Sequence, residues 1–426
     1  MAIATGFVGI LLLLGLAFAL SNNRKAIHWR LVISGLLIQW GIALFVLKVP
    51  LGQALFHGIA AGITKLLSFS DAGAGFVFGP LAQPDALAKA FGPAWSVIFA
   101  FKIIPAIIFV ATLVAIAYHI GLMQRVVQAT AWLVAKLMGA SGSEALSNVA
   151  SIFVGQVEAQ LLIKPYVPSM TNSELLAVMS GSMACIAGGV MAVYIQMGIP
   201  ASYLLTASLM AAPGALVIAK IVYPETEESP TRGAVKLKIE THTVNVLDAA
   251  THGASDGLRI GLQVVGMLIG FIALIAMLDW VVGKIGLGFW QMGLDASPIG
   301  LHLNHLALKD IFGLLFAPVA YMLGIPAHDA LTVGSLMGTK MVVNEFVAYM
   351  QLKPIMATLS PKSLAIATFA LCGFANFGSV AILIGGIGEI APTRKGDLAR
   401  LGLKALVCGT MASYMSAAIA GIILSI

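Results

Sequence analysis

Eight stretches of this chain are apolar for long enough to cross a bilayer, and no other feature limits its possible folds so strongly. A crossing helix needs roughly 20 mostly apolar residues. The stretches are 2–20, 30–48, 95–121, 172–195, 200–222, 256–284, 363–389 and 402–425. Composition agrees. Of 426 residues 59% are hydrophobic and 10% charged, whereas a soluble domain carries about 25% charged residues. Such a chain cannot cover itself with polar side chains, so its outer surface faces lipid. The expected class is an all-α integral membrane protein with eight transmembrane helices. Shorter apolar stretches at 51–68, 123–138 and 309–324 fit helices lying along the interface. The N-terminus, MAIATGFVGILLLLGLAFALSNNRK, has no basic residue ahead of its apolar run. It reads as a retained first span rather than a cleaved signal.

Lys and Arg placement sets an expected orientation. Arg24, Lys25 and Arg30, then Arg125 and Lys136, then Arg232, Lys236 and Lys238, then Arg394, Lys395, Arg400 and Lys404 fall on one side of an eight-span chain. That side should be cytoplasmic, with both termini outside the cell (inner) membrane. Lys353 and Lys362 are exceptions on the outer side. The net charge of +6 places basic loops near anionic headgroups. The positive residues are scattered singly, so no nucleic acid is implied. Cys185, Cys372 and Cys408 lie in apolar runs without ligand spacing, and His57, His119, His302 and His305 show none either; no metal site or disulfide is expected. No nucleotide-binding loop is present, which argues against an ATP-driven pump.

Two stretches resemble each other. LMGASGSEALSNVASIFVGQVEAQLLI is followed by TNSELLAVMSGSMACIAGGVMAVYI; MLGIPAHDALTVGSLMGTKMVVNEFVAYM is followed by SPKSLAIATFALCGFANFGSVAILI. Leu146 pairs with Leu331, Glu158 with Glu345 and Val190 with Val380. Each copy has a small-residue-rich hairpin with a carboxylate, then a span interrupted by glycines. An odd number of crossings separates them, so they should be inverted, the plan of many secondary transporters with a midplane site. The hairpins at 141–166 and 327–352 are too polar to cross as ordinary spans. Re-entrant hairpins, one from each face, fit better, because irregular backbone survives at that depth only inside protein or around a water-filled cavity.

Glu158 and Glu345 stand in otherwise apolar hairpins, where a carboxylate is a functional candidate by default. The blander possibility is a structural carboxylate paired with Lys164 or Lys340. Gln156 and Asn376 are amides that donate and accept together, suited to a mixed hydrogen-bond edge. Phe374 beside a broken helix can stack on a planar ring. Ser151, Ser180, Ser182 and Ser379 carry less weight, since membrane-helix serines usually bond their own backbone. Glu144 and Asp329 read most simply as helix N-terminal acids. No adjacent nucleophile and base suggests an enzyme, and the broken-helix pair disfavours a channel.

SIFVGQVEAQLLIKPYV, GTKMVVNEFVAY and ALCGFANFGSVAIL, with the flanking SDAGAGFVFG and FKIIPAIIFVATLVAIAYHIGLM, resemble the concentrative nucleoside transporter family over nearly the whole chain. The resemblance implies a homotrimer whose protomers have eight spans, two re-entrant hairpins and interfacial helices, with a transport part moving like an elevator against a scaffold. It implies scaffold spans over 1–121, a first repeat over 122–222, a cytoplasmic loop over 223–255, a sixth span with an outer loop over 256–308 and a second repeat over 309–426. It assigns the nucleobase to Gln156, Val157 and Glu158 with Val190, and the ribose to Glu345, Asn376 and Ser379, with Phe374 lining the pocket. No cofactor is implied beyond a coupling cation.

One neighbourhood departs from the family. Sodium-coupled members read NxFxGQTEAP where this chain has Ser151, Val154, Gly155, Gln156, Val157, Glu158, Ala159 and Gln160. The sodium-ligating Asn is Ser151, the Thr is Val157, and a nearby hydroxyl residue is Cys185. Among candidate ion ligands the backbone carbonyls of Val154 and Ile186 remain. Proton coupling, with Glu158 or Glu345 carrying the proton, is therefore the expectation, since desolvation disfavours a charged carboxylate. A sodium-coupled nucleoside symporter is the alternative, and a transporter of another small polar heterocycle a lesser one.

Overall fold

A computed structural model describes residues 2–92, 96, 98–231, 243–294 and 302–426. Arg232, Lys236 and Lys238 of the orientation argument lie outside them. Among the described residues there are nineteen α-helices and no strand. They run α1 Ala2–Ala19, α2 Trp29–Leu47, α3 Pro50–Ser68, α4 Ser70–Phe78, α5 Pro84–Phe91, α6 Phe99–His119 and α7 Leu122–Met138. Next come α8 Gly142–Ala150, α9 Glu158–Leu161, α10 Asn172–Ala184, α11 Gly188–Gln196, α12 Ala201–Val222 and α13 Val246–Gln291. The rest are α14 Leu308–Met322, α15 Ala327–Val342, α16 Glu345–Leu352, α17 Pro361–Leu371, α18 Phe377–Ile390 and α19 Lys395–Ile423.

Among the described residues, six segments are long and apolar enough to cross a membrane: Trp29–Leu47, Ala100–His119, Asn172–Gln196, Ala201–Val222, Val246–Gln291 and Pro392–Ile423. The first expected span is helical as α1, and the seventh is two short helices, α17 and α18. The three shorter apolar stretches are helices too (α3, α7 and α14).

Two boundaries differ from expectation. The central segment is helical from Val246, not 256, and the helix continues past 284 to Gln291. Asn245 caps it, accepting from the Asp248 N–H at 2.9 Å. Likewise α19 starts at Lys395, not 402. In both cases the helix outruns its apolar part. Hydropathy marks where lipid is, whereas capping and hydrogen bonding decide where a helix stops.

Local sequence explains several starts. Ser141 with Glu144, and Thr171 with Glu174, each form a reciprocal capping box at the head of α8 and α10. Ser360 caps α17 by accepting from Ser363 N–H at 3.2 Å. Pro213 removes a helical N–H inside α12, and the fully buried Gln39 of α2 donates to the Met210 carbonyl in that turn at 3.0 Å. In lipid such a group needs a protein partner.

Helices α10, α11, α12 and α19 form the interior. The α19 span is 94% buried and the α12 span 89%, whereas α13 is 11% buried. At 46 residues α13 is about 70 Å long, more than twice a hydrocarbon core of about 30 Å. Leu262, Ile269 and Trp280 point outward from it. Its most extensive protein contact is α6, along a glycine stripe. A Cβ on Gly253 would stand 2.7 Å from the Ala111 carbonyl, and one on Gly257 would stand 2.6 Å from Ile108 Cα. Small residues four apart let two membrane helices approach this closely.

Candidate substrate site

The two broken spans meet at their breaks. α10 gives way to extended backbone at Cys185 and resumes as α11 at Gly188. α17 ends at Leu371 and α18 begins at Phe377. The Phe374 N–H donates to the Cys185 carbonyl at 3.2 Å. Gly373 has φ +134°, and a Cβ there would lie 2.6 Å from the Ala184 carbonyl oxygen. Only glycine lets the chains pass so near in that conformation.

Around this crossing the second half gathers a polar centre. Asn344 caps α16, accepting from Val347 N–H at 2.9 Å, and Asn376 caps α18, accepting from Ser379 N–H at 2.8 Å. Two positive helix ends thus face one region. Glu345 opens α16 and is 4% exposed. One of its carboxylate oxygens accepts from the Tyr194 hydroxyl at 3.0 Å, the other from the Asn376 amide at 3.2 Å. Tyr194 is itself sandwiched near Tyr349 and Phe346, ring centroids 4.4 and 5.7 Å away. Lys340 does not pair with Glu345 within ion-pair distance. It is buried and donates to the Ala370 carbonyl at 2.8 Å. Ser379 is buried beside its cap, and Phe374 is half-buried.

The first half differs. α8 is wholly buried, and the chain turns through Ser151–Val157 before α9. Gln156 is half-buried, with its side-chain oxygen shielded and without a partner. Glu158, expected deep in an apolar hairpin, is exposed at the head of α9. The reason is local: Glu158 is the first residue of the short α9, and its carboxylate folds back against Gly155 of the tip instead of packing into a helix face. Val157 reaches the second half, since a Cβ on Gly386 of α18 would stand 2.6 Å from a Val157 methyl. Val190 lies half-buried on α11.

Of the candidate ion ligands, Ser151 is buried and donates to the Ser147 carbonyl at 2.9 Å. The Val154 N–H reaches back to the Ala150 carbonyl at 3.0 Å, Ile186 is fully buried, and the Cys185 carbonyl already accepts from Phe374. Among the described residues no His, Cys, Asp and Glu cluster could hold a metal ion. The three cysteines are free and buried. Glu144 caps α8 and also pairs with the buried Lys220, which donates to Ser173 at 2.8 Å. Asp329 lies in the first turn of α15, a helix N-terminal acid as expected, and also accepts from the Ser360 N–H at 3.3 Å.

Sequence reasoning missed Tyr194, Ser147, Gln160 and the close approach at Gly386. Tyr194 sits in an unremarked apolar run, and only the fold brings it to Glu345.

Models of the Na+ dependent nucleoside transporter match this chain at its N-terminal part, residues 8–81, and its C-terminal part, residues 203–421. A nucleoside recognition model matches residues 100–201 between them. The chain belongs to the concentrative nucleoside transporter family. Members of this family are transporters, not enzymes. An uncharacterized transporter of Haemophilus influenzae is 42% identical, with 100% of this chain and 99% of the relative covered. The nucleoside permease NupC of Helicobacter pylori is 41% identical over 98% of this chain and 97% of its own. The solved structure of CNTnw in an inward-facing, substrate-bound state superimposes with a TM-score of 0.91 at 40% identity, covering 100% of this chain and 98% of that one. This concentrative nucleoside transporter homologue is thus a multi-pass membrane protein with that family's fold.

Proposed function

We propose that the protein is a secondary active nucleoside importer of the cell (inner) membrane, a cation-coupled symporter working by elevator-type alternating access, with the proton favoured over sodium. The observation that carries the substrate reading is Glu345, buried between the capped ends of α16 and α18 with Asn376 on one oxygen. A carboxylate and an amide there can accept from and donate to two vicinal ribose hydroxyls, with Ser379 beside them and Phe374 as an apolar wall. Gln156, with a shielded and unpartnered oxygen, offers an acceptor to a nucleobase edge, flanked by Val157, Glu158 and Val190.

Eight crossings, two re-entrant hairpins from opposite faces, an inverted repeat and a homotrimer complete the proposal, with both termini outside. The crossing of the two broken spans supports the repeat, because each half contributes the same helix–break–helix unit. Proton coupling is supported by the ion-ligand substitutions at Ser151, Val157 and Cys185. Glu158 is the more accessible of the two candidate proton carriers, Glu345 the more enclosed.

Uptake of labelled uridine into proteoliposomes tests this reading. Saturable uptake should be lost on Glu345→Gln or Asn376→Ala. Two intact variants would refute the site. Acceleration by an inward sodium gradient at fixed pH, with no response to a proton gradient, would refute proton coupling.

A further inference from the structure

Gln160 lies two residues beyond Glu158 in α9 and is fully buried. An amide removed from water costs several kcal/mol unless its groups are bonded, and each bond of this one reaches a different element. Its oxygen accepts from the Ser147 hydroxyl of α8 at 2.9 Å. Its nitrogen donates to Ser182 of α10 at 2.6 Å and to the Gln156 carbonyl in the hairpin tip at 3.3 Å. Ser151 Oγ stands 3.3 Å from Ser182 Oγ, one contact further on.

The amide orientation follows from its partners. The Gln156 carbonyl can only accept, so the nitrogen must face it; the reversed amide would set two acceptors against each other. The positive end of the amide dipole therefore points at a carbonyl and a serine hydroxyl, with a second hydroxyl adjoining. Hard cations choose oxygen ligands of this kind.

We propose that the Gln160 amide is a built-in stand-in for a cation, an N–H donor pair fixed where a bound ion would otherwise join the first hairpin to α10. It is a positioning residue: it holds the tip that carries Gln156 and Glu158 without itself touching substrate. Because the stand-in is covalent, the tip is ordered in the absence of sodium, and sodium has no vacancy to fill. The inference rests on the proposed nucleoside symport and sharpens its coupling. A glutamine that merely fills space would be replaceable without any new ion response.

The test uses the full-length protein, purified for thermal unfolding in sodium against potassium and reconstituted for uridine uptake at fixed pH. Wild type should unfold at the same temperature in both salts. Gln160→Ala, which vacates the oxygens, and Gln160→Glu, which adds one, should each gain sodium-selective stabilisation. Uptake by Gln160→Glu should rise with sodium by on the order of 5- to 150-fold, the usual range of coupling between two ligands. A sodium-selective shift in the wild type overturns the inference, as does a folded Gln160→Glu or Gln160→Ala that ignores sodium in both assays. Wild-type protein that fails to transport uridine refutes the nucleoside reading instead, and the unfolding comparison still decides the role of Gln160.

Discussion

The Tyr194 hydroxyl stands 3.0 Å from a carboxylate oxygen of Glu345, a residue 151 positions further along the chain, and both side chains are buried. This contact ties α11 of the first half to α16 of the second. A hydrogen bond to a charged group contributes about 1.5–3 kcal/mol. Tyr194→Phe keeps the ring packing against Tyr349 and removes only that donor. The KM for uridine should rise about 10- to 100-fold with little change in the amount of folded protein. A KM equal to wild type in an initial-rate assay would show that Glu345 does not depend on this donor.

Asn376 has two tasks that one substitution separates. Its oxygen caps α18 and its nitrogen donates to Glu345. Aspartate caps a helix about as well as asparagine but brings a second acceptor to Glu345. Asn376→Asp should therefore abolish uptake while the protein still elutes as a single species in detergent. Asn376→Ala should in addition lower stability by about 1 kcal/mol through the lost cap, read as an earlier thermal transition.

The contact of Val157 with Gly386 invites a paired test. Gly386→Ala puts a methyl 2.6 Å from Val157 and should displace the hairpin tip, reducing uptake. Val157→Ala opens the same space. If the clash is the cause, the double variant recovers uptake toward the Val157→Ala level, a non-additivity expected of residues in contact. Independent effects would argue that Gly386 matters for another reason.

Gly373→Ala combines a backbone conformation poorly suited to an L side chain with a 2.6 Å approach to the Ala184 carbonyl. Backbone cannot step aside as a side chain can, so the cost should exceed about 2–3 kcal/mol. Little folded protein should reach the membrane fraction. Wild-type yield and melting temperature would mean that the two breaks can separate freely.

Much of the scaffold was legible because lipid imposes long apolar runs: six of the eight expected stretches coincide with segments long and apolar enough to cross a membrane. Glu144 was legible as a helix N-terminal acid, while the reciprocal boxes it and Glu174 form with Ser141 and Thr171 emerged from the structure. Helix ends were less legible: α13 extends well beyond its apolar part, where polar residues continue the helix outside any hydropathy signal. The site residues drawn from the family pattern, Glu345, Asn376 and Ser379, do come together, since half-helix caps fix them beside one another. Glu158 did not lie in the apolar setting expected from its neighbours, because it opens a one-turn helix and its carboxylate turns back on Gly155, which periodicity cannot forecast.

By itself the sequence determined that this chain lives in a bilayer and raised the expectation of matching polar breaks in its two halves; the family resemblance added the expectation that one break lacks the usual sodium-ligating side chains. Those conclusions depend on composition, spacing and residue type, which are local. The tertiary structure alone decided that Tyr194 serves Glu345, that Val157 abuts Gly386, and that Gln160 bridges Ser147 and Ser182. These are contacts across distant segments, and they exist only because two interrupted helices cross where neither has a complete hydrogen-bond ladder of its own.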